Sequence, residues 1–371
     1  MPTLKRTPDD FVVDEIAAYE PVGEGDHLFV HFRKRNRTTA EVVSAMARAL
    51  EIPSRDVGVA GLKDKIAVTT QTISLPRKPD LEARVRGLSL EGVEVLDARW
   101  HKNKLKTGHL RGNRFTIVVR DVSDPAAALA AFERVAREGV PNAFGHQRFG
   151  RGGANLERAR AWLSGRDRGP RDPKARRFSF SVWQSHVFND VLARRQADGT
   201  WAAAIEGDLL TKHASGGMFV CTDVQIDAER ARAGEVSATG PMVGDRMRWP
   251  EAQARALEED VLRAALADLG VGDDFLRRHA NLGDGTRRPL RQWVTDVSAT
   301  VLPPEPIVAM ATIGAPEQPA AVRVQFVLPS GAYATTVLAC AIPEIASESD
   351  LPSDTDPTPD APGADEGTTR A

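Results

Sequence analysis

The 371-residue sequence predicts an α+β fold in which a mostly helical domain, residues 145–287, is inserted into a domain that contains strands. Short runs of β-branched and aromatic residues, bounded by turn residues, fill the first third of the chain. Long helical patterns dominate the middle. Strand signals return near residue 321, so we expect the outer domain to be discontinuous and to comprise residues 1–144 and 288–343.

Five strands and two helices are predicted before residue 145. The strand runs are FVVDEI, HLFVHFRK, VGVAGLKD, VTTQTISL and RFTIVVRD, beginning at residues 11, 27, 57, 68 and 114. After the second run, apolar residues between Val42 and Leu50 fall on one face of a helix, and Thr38 or Thr39 is its expected N-cap. A second helix, PAAALAAFERVAREG, ends at Gly139, a residue type favoured just after a helix.

The inserted domain begins with a glycine-rich, basic stretch, NAFGHQRFGRGGANLERARAWL, which becomes helical near Asn155. Two long helices are predicted after it, SFSVWQSHVFNDVLARRQAD and EAQARALEEDVLRAALADLG. The strand AVRVQFVLPSG then returns the chain to the outer domain.

Acidic residues are concentrated at the end of the chain. Residues 344–371 contain eight of the 51 acidic residues and only one basic residue. This segment is rich in Pro, Asp, Ser and Thr, and we predict that it is a disordered acidic tail. The remainder carries a net charge of about +5, which is compatible with nucleic-acid binding and also with many metabolic enzymes.

Several protein classes are excluded by composition. No apolar run approaches the roughly 18 residues of a membrane span, and no apolar segment follows the basic start, so we expect a cytoplasmic protein without a membrane partner. The two cysteines are far apart, and the eight histidines show no H-E-x-x-H or Cys/His cluster. The sequence therefore predicts no metal site and no disulfide framework, and the G-x-S-x-G and P-loop motifs are absent.

Asp64 is the first candidate for chemistry. It stands between Lys63 and Lys65 at the expected end of an apolar strand, where two adjacent cations would keep its carboxylate ionised, as a nucleophile requires. An aspartate in an exposed charged turn has the same local pattern.

A basic stripe, residues 99–115, is the second candidate. It holds six Lys and Arg residues, among them Lys102, Lys104 and Lys106, and no acid, and Trp100 and Phe115 offer flat faces to bases. A solvated β-hairpin has the same composition. A second basic region includes Arg148 and Arg151, and two such regions favour a long polyanion over a small phosphate ester.

Seven stretches resemble, in order, the TruD-type tRNA pseudouridine synthases. They are LKRTPDDFVVDE, AGLKDKIAVTTQ, LRGNRF, NAFGHQRFGRGGANL, TGPMVG, GTRRPL and QFVLPSGAYATTVL. Met242 and Ala143 depart from the residues usual in the family, and neither touches the proposed chemistry.

The resemblance implies isomerisation of a uridine in tRNA, nominally at position 13, without a metal or organic cofactor. It implies a pseudouridine-synthase catalytic domain with a mixed sheet in permuted connectivity and a family-specific inserted domain. Asp64 of the G-x-K-D motif would be the nucleophile. The resemblance also implies roles at other positions: the target nucleotide would be bound by Phe11, Phe115, Phe326 and Asn113, and groups around Asp64 would be oriented by Lys5, Glu15 and Lys63.

Three functions are compatible with these residues. The first is the tRNA pseudouridine synthase, acting with no obligate protein partner. The second is a non-catalytic RNA-binding or RNA-folding protein on the same scaffold, and the third is a nucleoside hydrolase or glycosylase with an Asp nucleophile. The basic stripe argues against the third, because a free nucleoside offers little charge to bind.

Overall fold

The structure is a computed structural model that describes residues 1–303 and 320–348, apart from the side chains at 146, 147 and 346–348. The strands are β1 (Phe11–Ala17), β2 (His27–Arg35), β3 (Gly58–Val59), β4 (Val68–Pro76), β5 (Val93–His101), β6 (Leu110–Val122), β7 (Val140–Pro141), β8 (Leu209–Lys212), β9 (Met218–Val220), β10 (Val236–Met242), β11 (Thr286–Pro289), β12 (Arg291–Gln292), β13 (Thr295–Leu302) and β14 (Ala320–Pro329). The helices are α1 (Thr39–Ala49), α2 (Leu81–Arg86), α3 (Pro125–Glu138), α4 (His146–Phe149), α5 (Ala154–Leu163), α6 (Pro173–Ala197), α7 (Val224–Arg232), α8 (Ala252–Leu269), α9 (Phe275–Arg278) and α10 (Ala334–Ala341). None of the described helices is long and apolar enough to cross a membrane.

The chain folds into two compact units. The first comprises residues 1–136 together with the described residues from Val294 onward, and the second comprises Arg137–Trp293.

An eight-stranded mixed sheet organises the first unit. Its order is β13-β14-β6-β1-β4-β2-β5, with β3 paired to β4. The β1–β4 pair is parallel and the other pairs are antiparallel, so the α+β class and the mixed sheet are as predicted.

The two edge strands, β5 and β13, were not predicted. An edge strand buries less of its surface than a central one, so it carries few large apolar residues to mark it, although both sequences alternate between apolar and polar residues. The burial of β5 and β13 shows this, because most of their side chains are exposed or half-buried.

Helix α1 covers one face of this sheet. Thr38 is the N-cap, and it forms a capping box with Glu41. Val42, Met46 and Leu50 are fully buried against β2 and β4, as the apolar periodicity predicts. Burial of side chains of this size stabilises the fold by roughly 1.5–3 kcal/mol each.

The second unit contains more β-structure than predicted. Besides long helices it holds a four-stranded sheet of order β11-β10-β8-β9. All seven residues of β10 are buried, although its sequence, VSATGPM, lacks the alternation of a half-buried strand. At Gly240 a Cβ would lie 2.9 Å from the Phe188 ring, so close packing against α6 requires glycine there.

The acidic tail begins later than predicted. Residues 343–348 form a short 3-10 helix, and Ile345 is buried, so the segment around it belongs to the folded body. An apolar side chain within otherwise polar sequence explains the difference. The rest of the predicted tail lies outside the described residues.

Candidate active site

Asp64 lies in the loop between β3 and β4, five residues beyond the end of β3. The predicted strand at 57–64 was wrong after Val59. The loop backbone bonds to other elements instead of to a neighbouring strand: the Lys63 amide donates to Thr39 Oγ1 at 2.9 Å, and the Asp64 carbonyl accepts from Lys34 at 2.6 Å. Tertiary hydrogen bonds thus determine the conformation of this segment, and local propensity does not.

Lys5 is the cation that touches the Asp64 carboxylate. Its Nζ lies 2.9 Å from Asp64 Oδ2, and both side chains are partly exposed, at 25% and 37%. The same ammonium lies 4.4 Å from the centre of the Phe11 ring. The Lys5 ammonium therefore contacts both the Asp64 carboxylate and the Phe11 ring.

The backbone at Lys5 is in the left-handed region, with φ of 55°. That conformation costs a non-glycine residue roughly 1–2 kcal/mol. It is held by the neighbouring chain, where Thr3 and Arg120 exchange backbone hydrogen bonds of 2.8 and 3.0 Å. Buried Asp10 in turn accepts from the Arg120 guanidinium.

Lys63 points away from Asp64. Its Nζ lies 3.1 Å from Glu15 Oε2 and donates to Asn113 Oδ1 at 2.5 Å. The Lys63 and Glu15 side chains are 6% and 3% exposed. The expectation that both chain neighbours of Asp64 would stabilise its charge is therefore wrong for Lys63, whose cation is used in a buried ion pair.

Three phenylalanines form an aromatic cluster on the same face of the sheet. The Phe115 ring stacks on Phe326 at 5.4 Å and meets the edge of Phe11 at 6.2 Å. Phe326 has no exposed surface, whereas Phe115 is 8% exposed. In this structure Phe326 supports Phe115 from behind, so it offers no face to a base.

The face that bears the aromatic cluster can be followed across five strands through one row of directly paired residues. Phe326 pairs with Phe115, Phe115 with Val13, Val13 with Thr69, and Thr69 with Lys34. Directly paired residues in a sheet point to the same side. The row brings together residues from both ends of the first unit.

Lys34 is the site residue that sequence reasoning missed. It is completely buried, and burial lowers the pKa of its ammonium to about 8. A signal was present, because period-two alternation in HLFVHFRK places Lys34 on the same side as Val30 and Phe32. A lysine on the apolar side of a strand requires a specific polar partner.

The basic stripe is held against β4 and the residue after β3 by two backbone amides. The Leu105 amide donates to Ser74 Oγ at 2.9 Å, and Gly108 N donates to the Ala60 carbonyl at 2.8 Å. Lys102 and Lys106 are exposed, and half-exposed Lys104 donates to the Arg55 carbonyl.

Trp100 was expected to offer a flat face to bases, but one of its faces is covered. The Arg77 guanidinium lies 4.6 Å from its ring centre, and its Nε1 donates to Glu82.

Arg148 and Arg151 belong to the second unit. The Arg148 guanidinium lies 5.2 Å from the Phe144 ring and donates to Ser181 Oγ at 3.3 Å. Arg151 is exposed in a short 3-10 turn before α5. Among the described residues, no three His, Cys, Asp or Glu side chains group as metal ligands.

Comparison with known proteins identifies one family. The family model for tRNA pseudouridine synthase D (TruD) matches residues 2–157 and 172–340. A protein named tRNA pseudouridine synthase D from Anaeromyxobacter sp. (strain Fw109-5) is 43% identical over 341 residues, covering 91% of each chain. A protein of the same name from Thermus thermophilus is 41% identical, covering 90% of this chain and 87% of its own.

A solved structure shares the fold. The crystal structure of the putative tRNA pseudouridine synthase D from Methanosarcina mazei superposes with a TM-score of 0.75 at 22% identity. It covers 92% of this chain, and 93% of that chain is matched.

Proposed function

Since the chain belongs to the TruD family of tRNA pseudouridine synthases and isomerises uridine to pseudouridine in tRNA, we propose that Asp64 is the nucleophile and that the target is the uridine at position 13. The observation that carries the proposal is the pairing of the Asp64 carboxylate with Lys5 in a site that also contains the aromatic cluster. This arrangement joins the carboxylate, through Lys5, to the cluster that contains Phe115, the ring on which we propose that the base stacks.

The reaction needs one ionised carboxylate and no group transfer. The C1′–N1 bond breaks, the uracil turns, and a C5–C1′ bond forms, with no net redox change. Asp64 can serve by attacking C1′ of the ribose, by attacking C6 of the base, or by removing a proton. Each route uses the carboxylate, and the Lys5 ammonium lies 2.9 Å from it.

The target uridine must leave the helical stack to reach Asp64. We assign the stacking surface to Phe115, which is 8% exposed, with Phe326 holding it in place. Phe11 is 3% exposed and meets Phe115 edge-on, so we assign it the support of that ring. Asn113 has its side-chain oxygen bound by Lys63, so its amide nitrogen is directed by that bond and is the group we assign to the uracil edge or the ribose.

The RNA backbone is assigned to two basic regions. Lys102, Lys104 and Lys106 project from the stripe of the first unit, and Arg148 and Arg151 belong to the second. The side chains assigned to chemistry all come from one unit of one chain, which supports an enzyme that needs no obligate protein partner. We place the reaction in the cytoplasm because tRNA is the substrate.

Mapping of pseudouridine tests the position. The protein should convert unmodified tRNA transcripts carrying uridine at position 13, and carbodiimide-blocked primer extension should then show a stop at that position alone. Transcripts with cytidine at position 13 serve as the control and should show no stop. A stop at another position would contradict the proposed target and leave the isomerase activity intact.

The lysines of the stripe should contribute to affinity through phosphate contacts. Replacing Lys102, Lys104 and Lys106 by Gln should weaken tRNA binding and reduce the slope of log affinity against log salt by about 1 for each lysine that contacts a phosphate. The triple Arg variant keeps the charge and should keep the slope. An unchanged slope in the Gln variant would show that these lysines do not contact phosphates.

A further inference from the structure

Lys34 is a buried lysine on the apolar side of β2. It has no exposed surface, and its neighbours on the same side of β2, Val30 and Phe32, are also fully buried. A buried ammonium is costly unless it is paired and hydrogen-bonded. Such a residue needs a structural or chemical reason, and the mechanism above does not use it.

The described residues provide one hydrogen bond for the Lys34 ammonium. Its Nζ donates to the backbone carbonyl of Asp64 at 2.6 Å, from a strand 30 positions earlier in the chain. Lys5 binds the carboxylate of the same residue from the N-terminal segment. Two lysines from separate elements thus hold Asp64 at two different atoms.

Charged groups from several elements face Lys34. Asp64 in the catalytic loop and Glu41 in α1 favour its charged form, whereas Lys63 and Lys5 oppose it. Removal from water is the largest effect and also opposes the charge. The balance leaves Lys34 protonated at neutral pH, with a pKa of about 8, well below the usual value for lysine.

We propose that Lys34 is a positioning residue for Asp64: its ammonium binds the Asp64 carbonyl and thereby fixes where the neighbouring carboxylate lies. This inference rests on the proposed role of Asp64 as nucleophile. The loop has no strand partner at this point, so the bond to Lys34 replaces the constraint that a sheet ladder would supply. A charged donor bonds to a carbonyl roughly twice as strongly as a neutral one.

The charge of Lys34 makes the positioning depend on pH. Lysine is mostly protonated below its pKa and mostly neutral above it, so the charge-assisted bond is largely present at pH 7 and is lost progressively as pH rises through about 8. The rate of the chemical step in the wild-type protein should therefore decline above about pH 8.

Single-turnover rates at saturating tRNA test the proposal in the full-length protein. At pH 7, Lys34→Met should slow isomerisation by about 10- to 100-fold, as expected for a misplaced reacting group, with tRNA affinity within about twofold of wild type. Lys34→Gln should be slowed less, because the amide still donates to the carbonyl. Both variants should lack the Lys34-dependent decline above pH 8, which a merely structural role would not change.

Lys78→Met is the matched control. Lys78 Nζ also donates to a backbone carbonyl at 2.6 Å, that of Glu51, but it does so beyond the end of α1 and away from Asp64. Its loss should leave the single-turnover rate within about twofold of wild type.

Three outcomes separate the possibilities. A Lys34→Met rate within about threefold of wild type, or an unchanged pH profile, would overturn the role of Lys34. If Lys34→Met fails to fold, Lys34→Gln decides through its pH profile, and persistence of the alkaline decline overturns the proposal. Failure of the proposed function is recognised separately, because Asp64→Asn would then retain activity.

Discussion

We expect Asp64→Asn to abolish pseudouridine formation, with a loss of about 10³-fold or more in the single-turnover rate. The amide keeps the size of the side chain and loses the charge that every proposed route requires. Affinity for tRNA should change little, because the proposed phosphate contacts lie elsewhere. Pseudouridine mapping and filter binding on the same transcripts measure the two quantities.

The control for this variant is Lys5→Met, which leaves the carboxylate in place and removes its ion-pair partner. It should retain activity above that of Asp64→Asn, since it keeps the carboxylate that every proposed route uses. Residual turnover of Asp64→Asn within about tenfold of wild type would show that Asp64 is not the nucleophile. RNA-folding activity that survived without isomerisation would be the mark of a second, non-catalytic function.

Lys63→Met should destabilise the first unit by about 3–5 kcal/mol, because it leaves the Glu15 carboxylate buried without its cation. Glu15 is 3% exposed, and its other oxygen accepts from the Thr72 backbone amide, so it has little access to water. Urea denaturation measured at pH 7 should show the loss as a lower midpoint with an unchanged slope.

Two further variants make this test specific. Arg33→Met breaks an ion pair of 2.8 Å with Glu94 that is exposed on both sides, and it should cost less than about 1 kcal/mol. Combining Lys63→Met with Glu15→Gln removes both buried charges and should restore most of the stability without restoring full activity. If Lys63→Met were no more destabilising than Arg33→Met, the pair would not be desolvated in solution.

The sequence by itself determined the local elements and the order of the motifs. The N-cap at Thr38 and the apolar face of α1 follow from residues within a few positions of one another, whereas the strand predicted through Asp64 ends at Val59. Helix periodicity and capping depend on residues three or four positions apart, so they can be recognised in the amino-acid sequence alone. The family motifs are local in the same sense.

Only the tertiary structure determined which charged side chains pair with each other. Asp64 is bound by Lys5, 59 positions away, and by Lys34, while its neighbour Lys63 bonds to Asn113, 50 positions away. Two features determine these partners: the register of β1 between β4 and β6, and the hydrogen bonds that hold the loop between β3 and β4. Spacing along the chain does not encode that register, because it emerges only when the buried faces of distant strands pack together.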